Sequence, residues 1–408
     1  MSDVPATASI EIAVGISESV DPVEAASEAA DRAAAGLEGG CDLCLVFASG
    51  PHLSMAKWVL SEVHERLEPR NLIGCGAAGT LAAGREIEEG AGLAVWAASL
   101  PGAELSTIHV TAERDGDDFR LLGLPAELAP RGPDREADEH GIVRRDQALI
   151  VLADPYSFPS EVLLRAFERS RPGTPVLGGL SSAAFAGGSV LMQDGEVHSG
   201  GAVGAVVSGA QVLPCVSQGA APVGPEMTVT AAQANVIGEL ASKPALERLS
   251  EVIAALPERE QALAANGVLL GIVIDENRPE YVRGDFLVRP IIGADREAGT
   301  IAIGERVRIG QTVRLHVRDA ASADEDLRSA LRDQSHALGA EGAAGALLFT
   351  CNGRGSHMFE VPDHDAGALE DALGAPAAGF FCAGEIGPVG GRNFLHGFTA
   401  TMAVFPAG

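Results

Sequence analysis

The sequence predicts an α/β protein: two related domains of mixed β-sheets packed against helices, built from a repeated strand-loop-helix-strand unit. Three observations predict it. Short continuous apolar runs, at residues 43–48 and 148–153, read as strands buried on both faces. Each is followed by a polar loop and a segment with helical spacing of apolar residues. The order strand, polar loop, helix, glycine-rich turn, strand then comes round three times, which marks an internal repeat.

In chain order, residues 8–16 alternate like a strand. Asp21-Pro22 starts a helix, with Asp as N-cap and Pro in the first turn, and Gly39-Gly40 stops it. The first copy follows. It has a strand at 43–48, a turn at Ser49-Gly50-Pro51 and a helix at 53–67 carrying Met55, Val59, Val63 and Leu67. A short strand at 71–75, a glycine-rich turn and a strand at 93–98 complete it. The second copy runs from the strand at 148–153 through the loop Asp154-Pro155-Tyr156-Ser157, a helix at 160–169 and Val176-Leu177-Gly178-Gly179 to a strand at 202–208. The third has a strand at 346–350, a loop at 351–356, a helix at 365–373 and a last element at 379–405. In that element two strand-like runs, 380–382 and 398–405, flank a glycine-rich loop holding Glu385, Arg392, Asn393 and His396. Acidic, basic and titratable side chains on a loop between buried strands are the usual material of a polar site.

Different material separates copies two and three: strands at 227–232, 268–274, 284–292, 300–303 and 311–317, and helices at 244–256 and 324–338. The domain division expected from this is 1–225 and 226–408. Residues 131–140, charged and containing Pro and Gly, read as a long exposed loop.

Composition excludes several functions. The 408 residues carry a net charge of −27, a surface that repels phosphate backbones and anionic lipid. Nucleic-acid binding and membrane insertion are not expected, and no apolar run is long enough to span a bilayer. Hydrophobic residues make up 46% but aromatics only 4%, so the core must be built from Ala, Val, Leu and Ile. The N-terminus lacks the basic start of a signal peptide. Most of the six cysteines lie in apolar runs and read as buried thiols, so a reducing, cytoplasmic setting is expected.

Each motif has a plain structural reading beside the functional one. Gly74-Cys75-Gly76-Ala77-Ala78-Gly79 fits the dinucleotide fingerprint, but the segment after it is too short and interrupted for the required helix, and no acid follows for the ribose. No cofactor is expected. Cys41 and Cys44 form a single C-x-x-C at a strand start and read as structural. Asp363-His364-Asp365 reads as a loop end with Asp365 capping the next helix rather than as metal ligands. No G-x-S-x-G elbow occurs.

Cys351-Asn352-Gly353-Arg354 directly follows a buried strand. An arginine there can grip a carboxylate with two parallel hydrogen bonds. Cys351 reads as a packed thiol, since no adjacent base is fixed by the sequence. Glu385 suits either acceptance of an amine or pairing with Arg354, and His396 either holds its loop or touches a ligand.

Residues 286–293 (Phe-Leu-Val-Arg289-Pro-Ile-Ile-Gly293), 346–354 and 379–388, with His396 and Thr399, resemble the C-terminal part of the FIST domain. Residues 45–49, 73–75, 176–179 and 200–207 resemble its N-terminal part. The resemblance implies a FIST N-like domain at 1–225 and a FIST C-like domain at 226–408. It implies an intracellular bacterial sensory module for signal transduction, binding a small ligand such as an amino acid or similar metabolite. The charge pair of arginine and glutamate on glycine-rich loops in an otherwise apolar scaffold makes Arg289, Cys351, Asn352, Arg354, Glu385, Asn393 and His396 the expected ligand-binding residues, with no catalytic residue, metal or cofactor expected. Gly74-Cys75-Gly76 and Gly79-Thr80 depart from the family pattern of Gly-Cys-Ser followed by Gly-Glu. With no output domain after the last motif, a separate signalling partner is expected. The alternative is an enzyme acting on a small metabolite through Cys351 or Glu385.

Overall fold

The structure, a computed structural model, describes residues 9–116, 118–125, 128, 147–183 and 189–408. The loop expected at 131–140 lies outside the described residues. The chain divides into two compact units. The larger comprises residues 1–216, 328–395 and 400–408. The smaller comprises residues 217–327 and 396–399. Residue 225, where the sequence reading divides the chain, lies inside one long strand (Ala220–Gln233).

The larger unit carries the repeat three times. Repeat one is β1 (Glu11–Ser17), α1 (Pro22–Ala34), β2 (Leu43–Ala48), α2 (Ala56–Leu67), β3 (Leu72–Gly76), a hairpin of β4 (Thr80–Ala82) and β5 (Arg85–Ile87), and β6 (Leu93–Ser99). Repeat two is β7 (Glu104–Asp115), β8 (Asp118–Leu122), β9 (Gln147–Ala153), α3 (Ser160–Ser170), β10 (Val176–Leu180), a hairpin of β11 (Leu191–Gln193) and β12 (Glu196–His198), and β13 (Ala202–Ser208). Repeat three opens with β14 (Leu213–Gln218). The chain next forms β15 (Ala220–Gln233), β16 (Val236–Leu240), β17 (Lys243–Pro244), α4 (Ala245–Ala255), α5 (Glu258–Ala265), β18 (Val268–Val273), β19 (Phe286–Asp295), β20 (Thr300–Ile303), β21 (Thr312–Arg318) and α6 (Ala320–Leu338). Repeat three resumes with β22 (Ala343–Cys351), α7 (Ser356–Phe359), α8 (His364–Leu373), β23 (Ala377–Cys382), a hairpin of β24 (Glu385–Val389) and β25 (Arg392–His396), and β26 (Thr399–Pro406).

Three sheets result, ordered β1-β6-β2-β3-β11-β12, β8-β7-β13-β9-β10-β24-β25 and β14-β26-β22-β23-β4-β5. Each runs edge strand, last strand, first strand, second strand, and then the hairpin of another repeat. The hairpin of repeat two completes the sheet of repeat one, that of repeat three completes repeat two, and that of repeat one completes repeat three. The loop read at 384–397 is therefore mostly the hairpin β24–β25, and the glycine-rich turn after β3 is mostly β4–β5. These strands are three to five residues long and pair with a distant repeat, so local periodicity does not reveal them.

The register shows that the repeats are equivalent residue by residue. In the parallel pairs β2–β3, β9–β10 and β22–β23, Val46 faces Gly74, Val151 faces Gly178 and Leu348 faces Gly379. A Cβ on any of these three glycines would collide with the carbonyl oxygen of the residue it faces. The hairpins meet the same glycines at Met192, Ile386 and Leu81. One backbone hydrogen bond recurs between sheet and hairpin: Gly76 to Val190 (2.7 Å), Leu180 to Gly384 (2.8 Å) and Phe381 to Gly79 (3.1 Å).

Period-two alternation sends one face of each sheet into a shared core and the other under helices. Leu43, Leu45 and Phe47 of β2 join Ala148, Ile150 and Leu152 of β9, and Leu347 and Phe349 of β22, in that core. Phe47 stacks on Phe380 with centroids 5.1 Å apart, a pairing worth about 0.5–1.5 kcal/mol beyond its buried area. The opposite faces pack under α1 and α2 in repeat one and under α3 in repeat two. The buried stripe of α1 is all alanine (Ala25, Ala26, Ala29, Ala30 and Ala33), so the helix lies close enough to β1 that only glycine fits at position 15. Asp21 caps α1 as expected, accepting from the N–H groups of Val23 and Glu24.

The smaller unit is built on a sheet of order β15-β21-β18-β19-β20-β16-β17, whose apolar face packs against α4 and α5.

Candidate functional site

In open α/β sheets, ligands collect beyond the carboxyl ends of the parallel strands. Here those ends are the loops after β2, β9 and β22. Counting six residues on from the matched Val46, Val151 and Leu348 gives His52, Ser157 and Arg354 as equivalent positions.

The loop after β22 holds two of the seven residues expected from the sequence, Asn352 and Arg354, with Cys351 ending β22 itself. Arg354 is 1% exposed and its fork closes on Asp365, Nε to Oδ2 at 2.6 Å and Nη2 to Oδ1 at 2.8 Å. Thr350 Oγ1 also donates to Asp365 (2.5 Å), and His364 Nδ1 lies 2.8 Å from its other oxygen. Phe359 stacks on the His364 ring and lies under the Arg354 guanidinium at 5.0 Å. Burial alone would lift the Asp365 carboxyl, but the Arg354 charge and these hydrogen bonds hold it well below the usual carboxylate range. Two expectations are corrected. The two-bond grip of Arg354 is taken by its own chain, and Asp365 is not the cap of α8.

The cap comes from repeat one. Glu86 on β5 accepts from the N–H groups of Asp365 and Ala366, both at 2.9 Å, while Asp363 accepts from the N–H of Glu86 at 2.6 Å. Burial, then the neighbouring Asp365 charge, push Glu86 up to about 7. Glu88 likewise binds the N–H and hydroxyl of Ser356. The exchanged hairpin thus holds the third loop in place.

Cys351 (6% exposed) and the fully buried Glu385 lie near enough to Arg354 for their charges to act on it. Arg354 Nη1 is buried with no hydrogen-bond partner among the described residues. Asn352 is exposed. Asn393 serves the fold: its amide accepts from the Val176 N–H (2.9 Å) and donates to the Thr174 carbonyl (2.8 Å), pinning the start of β10. Arg289 and His396 belong to the smaller unit. There Arg289 is 7% exposed and pairs with Glu305 at 3.0 Å. Gly79 is followed by β4 rather than a helix, so the dinucleotide motif is not built. No group of three or more metal-ligating side chains occurs among the described residues.

The loop after β9 was not singled out from the sequence. Asp154 is 2% exposed, and its carboxylate accepts from Ser157 Oγ (2.5 Å), Ser157 N–H (2.9 Å) and Ser189 Oγ (2.6 Å). Burial would raise it, but these donors hold it below its usual range. Ser157 Oγ in turn accepts from the N–H of Gly201 (2.9 Å). A hollow of about 500 Å³ lies beside it, bordered by His109, Thr111, Ser157, His198, Ser199 and Gly200 among others. The rings of His109 and His198 stack with centroids 3.8 Å apart, and His109 Nε2 donates to the Gly200 carbonyl (3.0 Å). Burial and the neighbouring His109 push His198 down, so it is neutral at pH 7. A second hollow of about 430 Å³ shares Val197, His198 and Ser199 and continues past Met55, Lys57 and Trp58. None of the seven expected ligand-binding residues borders either hollow. The signal that could have found this loop was the repeat itself, which places Ser157 where Arg354 stands.

A threefold α/β repeat with polar side chains at its strand ends defines a protein of the α/β class. The FIST N domain matches residues 42–243 and the FIST C domain residues 245–388, and the chain belongs to the FIST family. Members of this family are associated with sensory and signal-transduction roles. The chain is similar to an uncharacterized protein of Mycobacterium tuberculosis, 44% identical over 398 residues, covering 97% of this chain and 99% of that one. It is also similar to an uncharacterized protein of Mycobacterium bovis, 41% identical over 397 residues, covering 97% and 98%. No helix of the described residues is long and apolar enough to cross a membrane.

Proposed function

We propose that this protein is a cytoplasmic sensory module that binds a small polar metabolite, with an amino acid as first candidate, at the loop after β22. A separate signalling protein then reads the bound state. The observation that carries the site is Arg354 Nη1, a buried donor with no hydrogen-bond partner among the described residues, set near Cys351 and Glu385. Leaving such a donor unpaired costs about 1–3 kcal/mol, and a ligand oxygen would recover it. With the fork held by Asp365, one ligand oxygen rather than two would meet Arg354. In this reading Glu385 would accept the ligand's ammonium group. Entry would run through the exposed Asn352, Ser356 and His357. The six cysteines are buried and none forms a disulfide among the described residues, which suits a reducing compartment.

The test is thermal shift of the full chain against amino acids and related metabolites. A true ligand at about 100 times its Kd adds about 2.7 kcal/mol of stability. Glu385→Gln should weaken the response to amines selectively. A panel with no stabilising member, or equal responses in wild type and Glu385→Gln, would overturn the reading.

A further inference from the structure

The three strand-end loops are equivalent in register, yet two are filled by their own side chains. His52 in repeat one is fully buried and Arg354 in repeat three is 1% exposed. Repeat two has the short Ser157 at that position, it is exposed, and a hollow of about 500 Å³ lies beside it. We propose that this hollow binds an uncharged, hydroxyl-rich molecule the size of a monosaccharide or cyclic polyol.

The chemistry of the wall selects that class. None of the residues bordering the hollow is an acid, a lysine or an arginine. An ionised ligand would meet no opposite charge on this wall, Lys57 bordering only the adjoining hollow, and an anion would also enter the field of a chain with net charge −27. The polar atoms include acceptors that require donors. Ser157 Oγ gives its proton to Asp154 and takes one from the Gly201 N–H, leaving one lone pair. His109 donates through Nε2 to Gly200, so in the neutral ring Nδ1 is an acceptor. Carboxylates and fully ionised phosphate groups offer only acceptors in return; hydroxyl groups offer both donor and acceptor. His198 Nε2 is buried with no hydrogen-bond partner among the described residues, and the nearest acid oxygen, on Glu196, is 3.9 Å away. A ligand hydroxyl would satisfy it. The buried Asp154–Ser157–Ser189 network fixes Ser157 before any ligand arrives, which lowers the cost of ordering the site. The adjoining hollow brings in Trp58, 61% exposed, an apolar ring on which the carbon face of a sugar can lie.

Trp58 also supplies the readout. The chain has two tryptophans, and the other, Trp96, is fully buried. The full chain is titrated with glucose, ribose and myo-inositol, and separately with inorganic phosphate and acetate, following tryptophan fluorescence and melting temperature. A saturating change with at least one neutral probe is expected. Ser157→Ala and His198→Phe should each weaken it about tenfold, one lost hydrogen bond. Saturation by the anions alone, by no probe, or with equal affinity in both variants would overturn the proposal. Its failure is separate from that of the proposed amino-acid site, because both the probes and the substituted residues differ.

Discussion

Arg354 and Asp365 close a buried two-bond ion pair between the loop after β22 and the first turn of α8. The pair takes the hydrogen-bonding fork that the sequence offered to a ligand and turns it into a brace. Removing one partner leaves the other charged and buried. Arg354→Ala or Asp365→Ala should each cost about 3–5 kcal/mol, while the double replacement Arg354→Met with Asp365→Leu should cost less than either. Urea midpoints of the three variants check this. Equal losses in all three would show that the charges are not the cause.

Glu86 makes a pH prediction of the opposite kind. Its folded-state value, about 7, lies above that of an unfolded carboxyl, so the folded chain holds a proton that the unfolded chain has lost. Stability should therefore fall as pH rises from about 4.5 to 7, by up to about 3 kcal/mol from this group. Glu86→Gln keeps an oxygen for the N–H groups of α8 and should flatten that slope and be more stable than wild type at pH 8. Chemical denaturation at pH 5 and pH 8 measures the difference.

In the smaller unit His316 is fully buried, and burial pushes it down to about 4. Its ring lies edge-on to Phe286. An unfolded histidine titrates near 6.5, so the unfolded chain binds the extra proton between about 4 and 6.5. The contribution of neutral His316 is complete above pH 6.5 and is lost on acidification towards 4. His316→Phe should remove that part of the acid sensitivity, read as a smaller change in denaturation midpoint between pH 7 and pH 4.5.

The matched glycines give a packing prediction. Gly74→Ala, Gly178→Ala and Gly379→Ala each drive a methyl group into a backbone carbonyl that cannot step aside. Each should destabilise by about 3 kcal/mol or more, in the range of severe overpacking. Gly40→Ala meets no atom within 4 Å and should leave the melting temperature nearly unchanged. Three melting curves against this control decide it.

The strands β2, β9 and β13, the helix α3 and the cap at Asp21 were legible because their causes are local. Continuous apolar runs bury on both faces, and an Asp-Pro pair presets a helix start. The short hairpins were not legible, because each is stabilised by a sheet far away in the chain. Candidate residues fared the same way. Cys351, Arg354 and Glu385 could be picked out as chemistry beside glycines, but the partner that occupies Arg354 was visible only as a capping residue. His109 and His198, 89 positions apart in sequence, carried no signal at all.

By itself, then, the sequence determined the threefold strand-loop-helix-strand pattern, a core of Ala, Val, Leu and Ile and membership of the FIST family. Tertiary structure alone decided which hairpin completes which sheet, which of three equivalent strand-end loops is sealed and which stays open. The physical reason is that periodicity and capping act within one turn or strand. Hairpin exchange, ion pairing and the packing of one ring on another depend on which distant segments the folded backbone brings together.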